Sequence, residues 1–245
     1  MAGLAWAKDY HRQWVKMNYI MSNGLSPTPI NAPGWLNSGV ASLLVNGHVP
    51  QGLELTNQNL AGLVFPHGDL SQVALIGCDL RFANLEGADL TDANLIAASL
   101  HKSNLRRANL CRATLNRCNL SEADLTESDA NEALFCQAVF TEVEAHGLRL
   151  YRAKVSQAQL MGAHLHQAYA PEADFSAVAA IAVDLRWANL RKTNFRGADL
   201  RYGNFRGANL TQADFTGANL KGANLRGANL VGTNLQRADL SDVTW

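Results

Sequence analysis

The side chains that could carry chemistry in this chain are its 21 acidic residues, its seven histidines and its four cysteines. Paired carboxylates can work as general acid and base where their surroundings push their pKa values apart. Here Asp, like Asn, usually stands directly before a Leu or Phe, as in Gly87-Ala-Asp89-Leu90 and Gly197-Ala-Asp199-Leu200. A residue that recurs with the period of the chain is expected to hydrogen-bond a turn, not to act on a substrate. His146, His164 and His166 form the closest histidine group. Two stacked imidazoles could hold a metal only with a further fixed ligand, and none is evident. Cys78, Cys111, Cys118 and Cys136 lack metal-type CxxC spacing. No nucleophile elbow, P-loop, dinucleotide fingerprint or HExxH occurs. The expectation is a protein with no enzymatic activity, no cofactor and no metal.

The elements that would have to position any site are set by a strict short period. From Leu60 to Trp245 almost every fifth residue is Leu or Phe, preceded by Asp or Asn and, before that, a small residue. Phe82-Ala-Asn-Leu85, Arg107-Ala-Asn-Leu110 and Gly222-Ala-Asn-Leu225 show the unit, and its frame never slips. Such a period means one small unit stacked on itself rather than a globular core. With 21 basic and 21 acidic side chains there is no global field to attract nucleic acid or an anionic membrane. No apolar run approaches the roughly 20 residues of a spanning helix. Met1 to Tyr10 lacks a basic stretch followed by an apolar one, so no secretory signal is read there. Free thiols then point to the cytoplasm.

The A(D/N)Lxx unit resembles the signature of the pentapeptide-repeat family, over about four fifths of the chain. The resemblance implies an all-β solenoid, a right-handed four-sided β-helix in which each pentapeptide makes one side and four make a coil. The central Leu or Phe and the small residue two before it would point inward. Residues 20 apart would then stack at about 4.8 Å. One inner column would hold Phe135, Phe175, Phe195 and Phe215, and a packed aromatic stack is expected there. Gly197, Gly207, Gly217, Gly222, Gly227 and Gly232 share a corner slot where a tight turn asks for positive φ. Between Thr126 and Asp184, Ala130, Ala145, Ala170 and Ala180 replace the large central residue, while Val143, Leu148, Val178 and Val183 fill small slots. That pattern predicts volume exchange inside a continuing rod, with altered turns or a bend as alternatives.

The domain reading is a helical arm and cap over residues 1–50 and the β-helix over 51–245. Trp6, Tyr10, Trp14, Met17 and Met21 recur at helical spacing, with Gly24 as a stop, and Trp35 to Val45 reads as a second short helix. The aromatic face of the arm is expected to cover the first edge of the rod, although a partner or a membrane surface could also take it. At the other end Trp245 falls in a central slot above Leu225, where it could act as a lid. The thinly protected last edge allows a homodimer through the C-terminal coil.

Outside the rod, the column Asp92, Arg112, Glu132, Arg152, Glu172, Lys192 alternates in sign, as a register-locking ladder would. A second column reads Arg106, Thr126, His146, His166, Arg186, Arg206, Arg226, with Arg201 and Lys221 near it. Arg186 to Leu240 carries nine basic and three acidic residues, and Ser121 to Ala145 seven acidic and none basic. Met161 and Ile181 share an adjoining column, with Trp187 and Tyr202 close by. This patch beside the basic ridge is the candidate partner surface. The leading functional expectation is a non-enzymatic scaffold that offers a rigid rod to an acidic protein partner. The alternative implied by the resemblance is a DNA-mimicking binder of DNA gyrase or topoisomerase IV that protects against quinolones or toxins. Against it stand the zero net charge, an acidic belt in place of an axial stripe, and no dimerisation helix after the rod. A third reading is an exported effector. Direct binding of nucleic acid is not expected.

Overall fold

The computed structural model describes residues 53–245. The helical arm expected over residues 1–50 lies outside the described residues. Within them, isolated parallel bridges run without interruption from Glu54↔Ala74 to Asn224↔Thr244, each joining residues 20 apart. The coil of four pentapeptides is therefore realised. We number its sides by their central residues: face one carries residue 55 and its equivalents, face two 60, face three 65 and face four 70.

Each unit repeats one hydrogen-bonding plan. The central residue donates to a carbonyl in the next coil, as Leu60 N–H does to Asp79 at 2.7 Å. The residue before the centre donates backwards, as Asp79 N–H does to Gln58 at 3.0 Å. Each side then ends in a tight turn, closed for example by Leu63 N–H on the Leu60 carbonyl at 3.0 Å. The third turn residue has positive φ at every unit from Asn57 to Asp242, between 53° and 71°. This matches a type II turn, which needs a left-handed third residue.

The glycine reading of that slot was too narrow. Lys192 (φ 59°), Trp187 (φ 60°) and Tyr202 (φ 58°) occupy it, as do arginines and glutamates. A left-handed conformation costs a side-chain-bearing residue roughly 1–2 kcal/mol. Ladder bonds hold it in place, such as Phe82 N–H to the His101 carbonyl at 3.0 Å. The Asp and Asn of the motif do cap the turns. Asp69 Oδ1 accepts the Ser71 N–H at 3.0 Å and Asn229 Oδ1 the Val231 N–H at 3.1 Å.

The core is a stack of Leu and Phe rungs with small residues between them. The aromatic column forms, but over a shorter run than expected. Phe175 and Phe195 stack at 5.4 Å, and Phe195 and Phe215 at 4.8 Å. Phe205 on face three meets Phe195 and Phe215 edge-on. Phe135 stands apart because Val155 interrupts the column, and it packs edge-on against Phe140 at 5.1 Å instead. Val143, Leu148, Val178 and Val183 are all buried, which supports the exchange of volume with the central alanines. The turns keep their closing bonds, as Leu148 N–H on the Ala145 carbonyl at 3.2 Å, except that none is formed by Val178 N–H on the Phe175 carbonyl. The corners from Glu127 to Ala182 keep φ between 53° and 67°, and the bridges continue through them. At the last coil Leu225 donates to the Thr244 carbonyl at 2.7 Å, and Trp245 occupies the expected slot with 59% of its surface exposed.

Volume exchange makes a quantitative prediction. Leu148→Ala should destabilise the rod by about 2–5 kcal/mol, because Ala145 beside it cannot fill the void. The double variant Ala145→Leu/Leu148→Ala restores the ordinary arrangement and should recover most of that loss in urea unfolding.

Candidate interaction surface

The structure distributes the nine predicted surface residues over the two corners that flank face three. Met161, Ile181, Arg201 and Lys221 follow one another along the corner between faces two and three, linked by Gly162 N–H to the Ile181 carbonyl and Tyr202 N–H to the Lys221 carbonyl. Tyr202 lies on the same corner, 60% exposed. Arg186, Arg206 and Arg226 line the corner after face three, where Trp187 N–H meets the Arg206 carbonyl at 3.0 Å and Gly207 N–H the Arg226 carbonyl at 2.9 Å. The expected single basic ridge is thus two ridges. Between them the outward residues of face three are His164, Asp184, Asn204 and Asn224, which bridge in succession.

Not all of the cations are free. Arg186 grips Asp184, with Nη2–Oδ2 at 2.7 Å and Nε–Oδ1 at 2.9 Å. Arg201 grips Asp199 in the same way at 2.7 and 2.8 Å, and its side chain turns onto face two. The Arg201 hydrogen bonds hold the Asp199 carboxyl below its usual range. Burial pushes Asp184 up, but the bonds from Arg186 outweigh it and leave that carboxyl low as well. Arg206 and Arg226 have no ion pair among the described residues. The reason lies two residues upstream and one coil on. An arginine after a central residue reaches either the residue two before it, as Arg81 reaches Asp79, or the one 18 later, as Arg196 reaches Asp214. For Arg206 those positions hold Asn204 and Asn224, and for Arg226 Asn224 and Thr244. The triplet Asp-Leu-Arg at Asp184–Arg186 and Asp199–Arg201 was the sequence signal for the paired ones. Lys221 also forms no ion pair among the described residues, although Asp239 feels its charge.

Trp187 lies directly beside the unpaired arginines. A Cβ added to Gly207 would fall 2.2 and 2.3 Å from two atoms of its six-membered ring, so the indole covers the glycine one coil on. Tyr202 leans over Gly222 in the same manner, with the nearest ring atom 2.7 Å from such a Cβ. Sequence reasoning took these glycines as turn residues only. Their second role was legible as an aromatic in the corner slot with Gly 20 residues later. Trp187 stays 59% exposed. Met161 is 45% exposed and Ile181 half-buried, on the corner that also carries Tyr202.

Several charges elsewhere pair across coils. The alternating column forms Arg112–Asp92 at 2.7 Å, Arg152–Glu172 at 2.9 Å and Lys192–Glu172 at 3.9 Å, whereas Glu132 joins no ion pair among the described residues. Four of the seven carboxylates of the acidic belt are paired, through Glu122–Lys102, Asp124–Arg106, Glu127–Arg107 and Asp129–Arg149, while Glu132, Glu142 and Glu144 form no ion pair among the described residues. The segregation of charge seen along the sequence is therefore reduced in space by these pairs.

The histidines stack as expected. The His146 and His166 rings lie 4.3 Å apart, 30° from parallel, and His146 Nδ1 meets the His166 carbonyl at 3.2 Å. His166 Nδ1 is buried without a hydrogen-bond partner among the described residues. Burial, then the charge of His146, lowers the pKa of His166 from its ordinary 6.5. Face-to-face rings do not converge on a metal, and among the described residues no group of three or more ligating side chains gathers. No described helix is long and apolar enough to cross a membrane.

The profile of pentapeptide repeats matches the chain in eight copies between residues 54 and 242. The chain belongs to the pentapeptide-repeat family. Solved relatives include HetL, a pentapeptide-repeat protein involved in heterocyst differentiation regulation in the cyanobacterium Nostoc sp. strain PCC 7120, at 28% identity over 79% of this chain and 89% of HetL, with a TM-score of 0.47. Full-length QnrB1, a plasmid-mediated fluoroquinolone resistance protein, is 21% identical over 79% of this chain and 92% of its own, with a TM-score of 0.28. A pentapeptide-repeat protein of the Arabidopsis thaliana thylakoid lumen is 22% identical over 45% of this chain and 67% of its own, at 0.31. None of the curated proteins matches the chain.

Two measurements test this description of the pentapeptide-repeat surface. Gly207 (φ 69°) and Gly217 (φ 68°) have the same backbone, but only Gly207 lies under a ring, since nothing stands within 4 Å of a Cβ at Gly217. Gly207→Ala should therefore cost on the order of 1 kcal/mol more than Gly217→Ala in chemical unfolding, and should alter the tryptophan emission. The second concerns pH. His166 takes a proton less readily folded than unfolded, so the unfolded chain binds more protons as pH falls through 6.5. Stability should drop between pH 7.5 and 5.5, and His166→Gln should flatten that slope in urea titrations at the two pH values.

Proposed function

We propose that this chain is a non-catalytic binding module that presents the corner after face three to an acidic protein partner. The observation that carries the reading is the group of Trp187, Arg206 and Arg226. Two guanidiniums in successive coils lack any carboxylate partner within the rod, beside an indole that remains exposed. Exposed arginine and tryptophan are the side chains that most often anchor protein interfaces. Two cations in successive coils with no ion pair among the described residues can be satisfied by an anion from outside. Arg201, Lys221, Tyr202, Met161 and Ile181 on the neighbouring corner form a second, smaller contact region of the same module. Rigid hydrogen-bonded coils keep such a surface pre-organised, which lowers the cost of binding.

A role as a DNA mimic toward DNA gyrase draws less support. The carboxylates of the acidic belt are mostly occupied by Lys102, Arg106, Arg107 and Arg149, and so do not line up as free charge along the axis. Placement in the cytoplasm, and pairing of two chains through the last coil, belong to this proposal as its simplest setting.

The test is capture on immobilised full-length protein from its native host, with Arg206→Glu/Arg226→Glu as the comparison. A retained acidic protein should be lost from the variant while its circular dichroism stays that of the wild type. Equal retention by both would remove this corner as the binding surface. Added at micromolar concentration to a gyrase supercoiling reaction containing a quinolone, the protein should leave inhibition unchanged.

A further inference from the structure

The order of charges along face three and its two corners points to the partner. Resting on the reading above, we infer that the acidic partner is a second copy of this chain. It lies antiparallel against face three, about a two-fold axis that crosses the rod between His164 and Asp184. The outward column from Asp124 to Asn224 runs straight down this side, because each residue bridges the one 20 later. Taken with the corners on either side, stretch 121–127 carries three carboxylates and 141–147 two, with no Lys or Arg. Stretches 201–207 and 221–227 carry two cations each and no carboxylate. The two stretches between are neutral in sum: 161–167 has no Asp, Glu, Lys or Arg, and 181–187 pairs Asp184 with Arg186. Such an axis sets 141–147 against 201–207 and 121–127 against 221–227, so every acidic stretch meets a basic one.

The groups left unpaired within one chain are the ones that meet. Glu142 and Glu144 are exposed, and neither forms an ion pair among the described residues. The axis puts Glu144 opposite Asn204 of the second copy, beside its unpaired Arg206. Glu122 and Asp124 are shared with Lys102 and Arg106 in their own chain, so the inner stretches carry most of the selectivity. At the axis Met161, 45% exposed, meets Ile181 of the other copy, and the exposed Trp187 meets His166. Apolar surface thus lies at the centre with charge around it, the usual anatomy of an interface. The register is fixed by sign. With the axis moved half a coil one way Asp184 faces itself, and half a coil the other way Glu144 faces Asp184. An axis along the rod would set 201–207 against its own copy, cation on cation. Six stretches at about 4.8 Å make a strip roughly 29 Å long on one side of the rod. A contact of that extent falls in the transient class, below about 1,200 Å².

The experiment follows the full chain by sedimentation velocity between about 5 and about 200 μM in about 20 mM salt, where surface charges are little screened. The wild type should dimerise within this range and revert to monomer at about 500 mM salt. Arg206→Glu and Glu144→Lys each bring like charges together twice in a symmetric pair, so each should weaken self-association about tenfold. An equimolar mixture of the two variants restores unlike charges at both contacts and should pair as tightly as the wild type. A dimer indifferent to both variants would lie elsewhere, at the last coil for example, and would overturn the inference. Two weakened variants that fail to pair when mixed would overturn the antiparallel register. A wild type that stays monomeric throughout would overturn the second copy as partner. Loss of a captured acidic protein in Arg206→Glu/Arg226→Glu would then leave the surface in place, and equal capture would remove both.

Discussion

The left-handed residue at each corner is the constraint on which the rest of this molecule depends. It turns the chain through one side of the square in two residues, so five residues complete a side and twenty a coil. Its N–H then points along the axis to the next coil, as Trp187 N–H does to Arg206. Turn and ladder therefore enforce one another. That mutual support explains why lysine, arginine, glutamate and tryptophan all adopt a conformation that an isolated side-chain-bearing residue avoids. Once the corner is set, the central residue has no choice but to face inward, and the core follows.

Much of this was legible in the sequence because short-range periodicity carries a fold of neighbour contacts. The unbroken frame from Leu60 was enough to place Val143 and Leu148 in the core and to pair Arg112 with Asp92 across a coil. Two things were harder to read. The stack of phenylalanines depends on whether a column is continuous, and a single Val155 was sufficient to send Phe135 to a different partner. The corner conformation was seen only where glycine advertised it, since nothing in the composition of Lys192 or Tyr202 signals positive φ. Both were questions of three-dimensional support rather than of local preference.

The candidate surface was half legible for a similar reason. Columns of like residues can be drawn from sequence, but the direction in which a long side chain leans cannot be drawn from its column alone. Arg201 and Arg206 look alike in a column diagram, yet one is held down by Asp199 and the other has Asn204 and Asn224 at the corresponding positions. The distinction between Asp and Asn before the central residue is neutral for the turn, which accepts either oxygen. For the charge of the outer surface it is decisive. A motif position that the fold treats as interchangeable thereby sets which arginines remain available.

The same geometry ties angular position to chain length. One pentapeptide is a quarter turn, so removing or adding five residues anywhere in the rod would leave every corner and every rung formable while rotating all later columns by one face. Residues more than a coil from such a change would keep their neighbours above and below, while the two parts of the rod would be turned a quarter against one another. In this architecture the azimuth of Trp187, Arg206 and Arg226 is stored as a count of units from the first coil, and a change of twenty residues shifts their height alone.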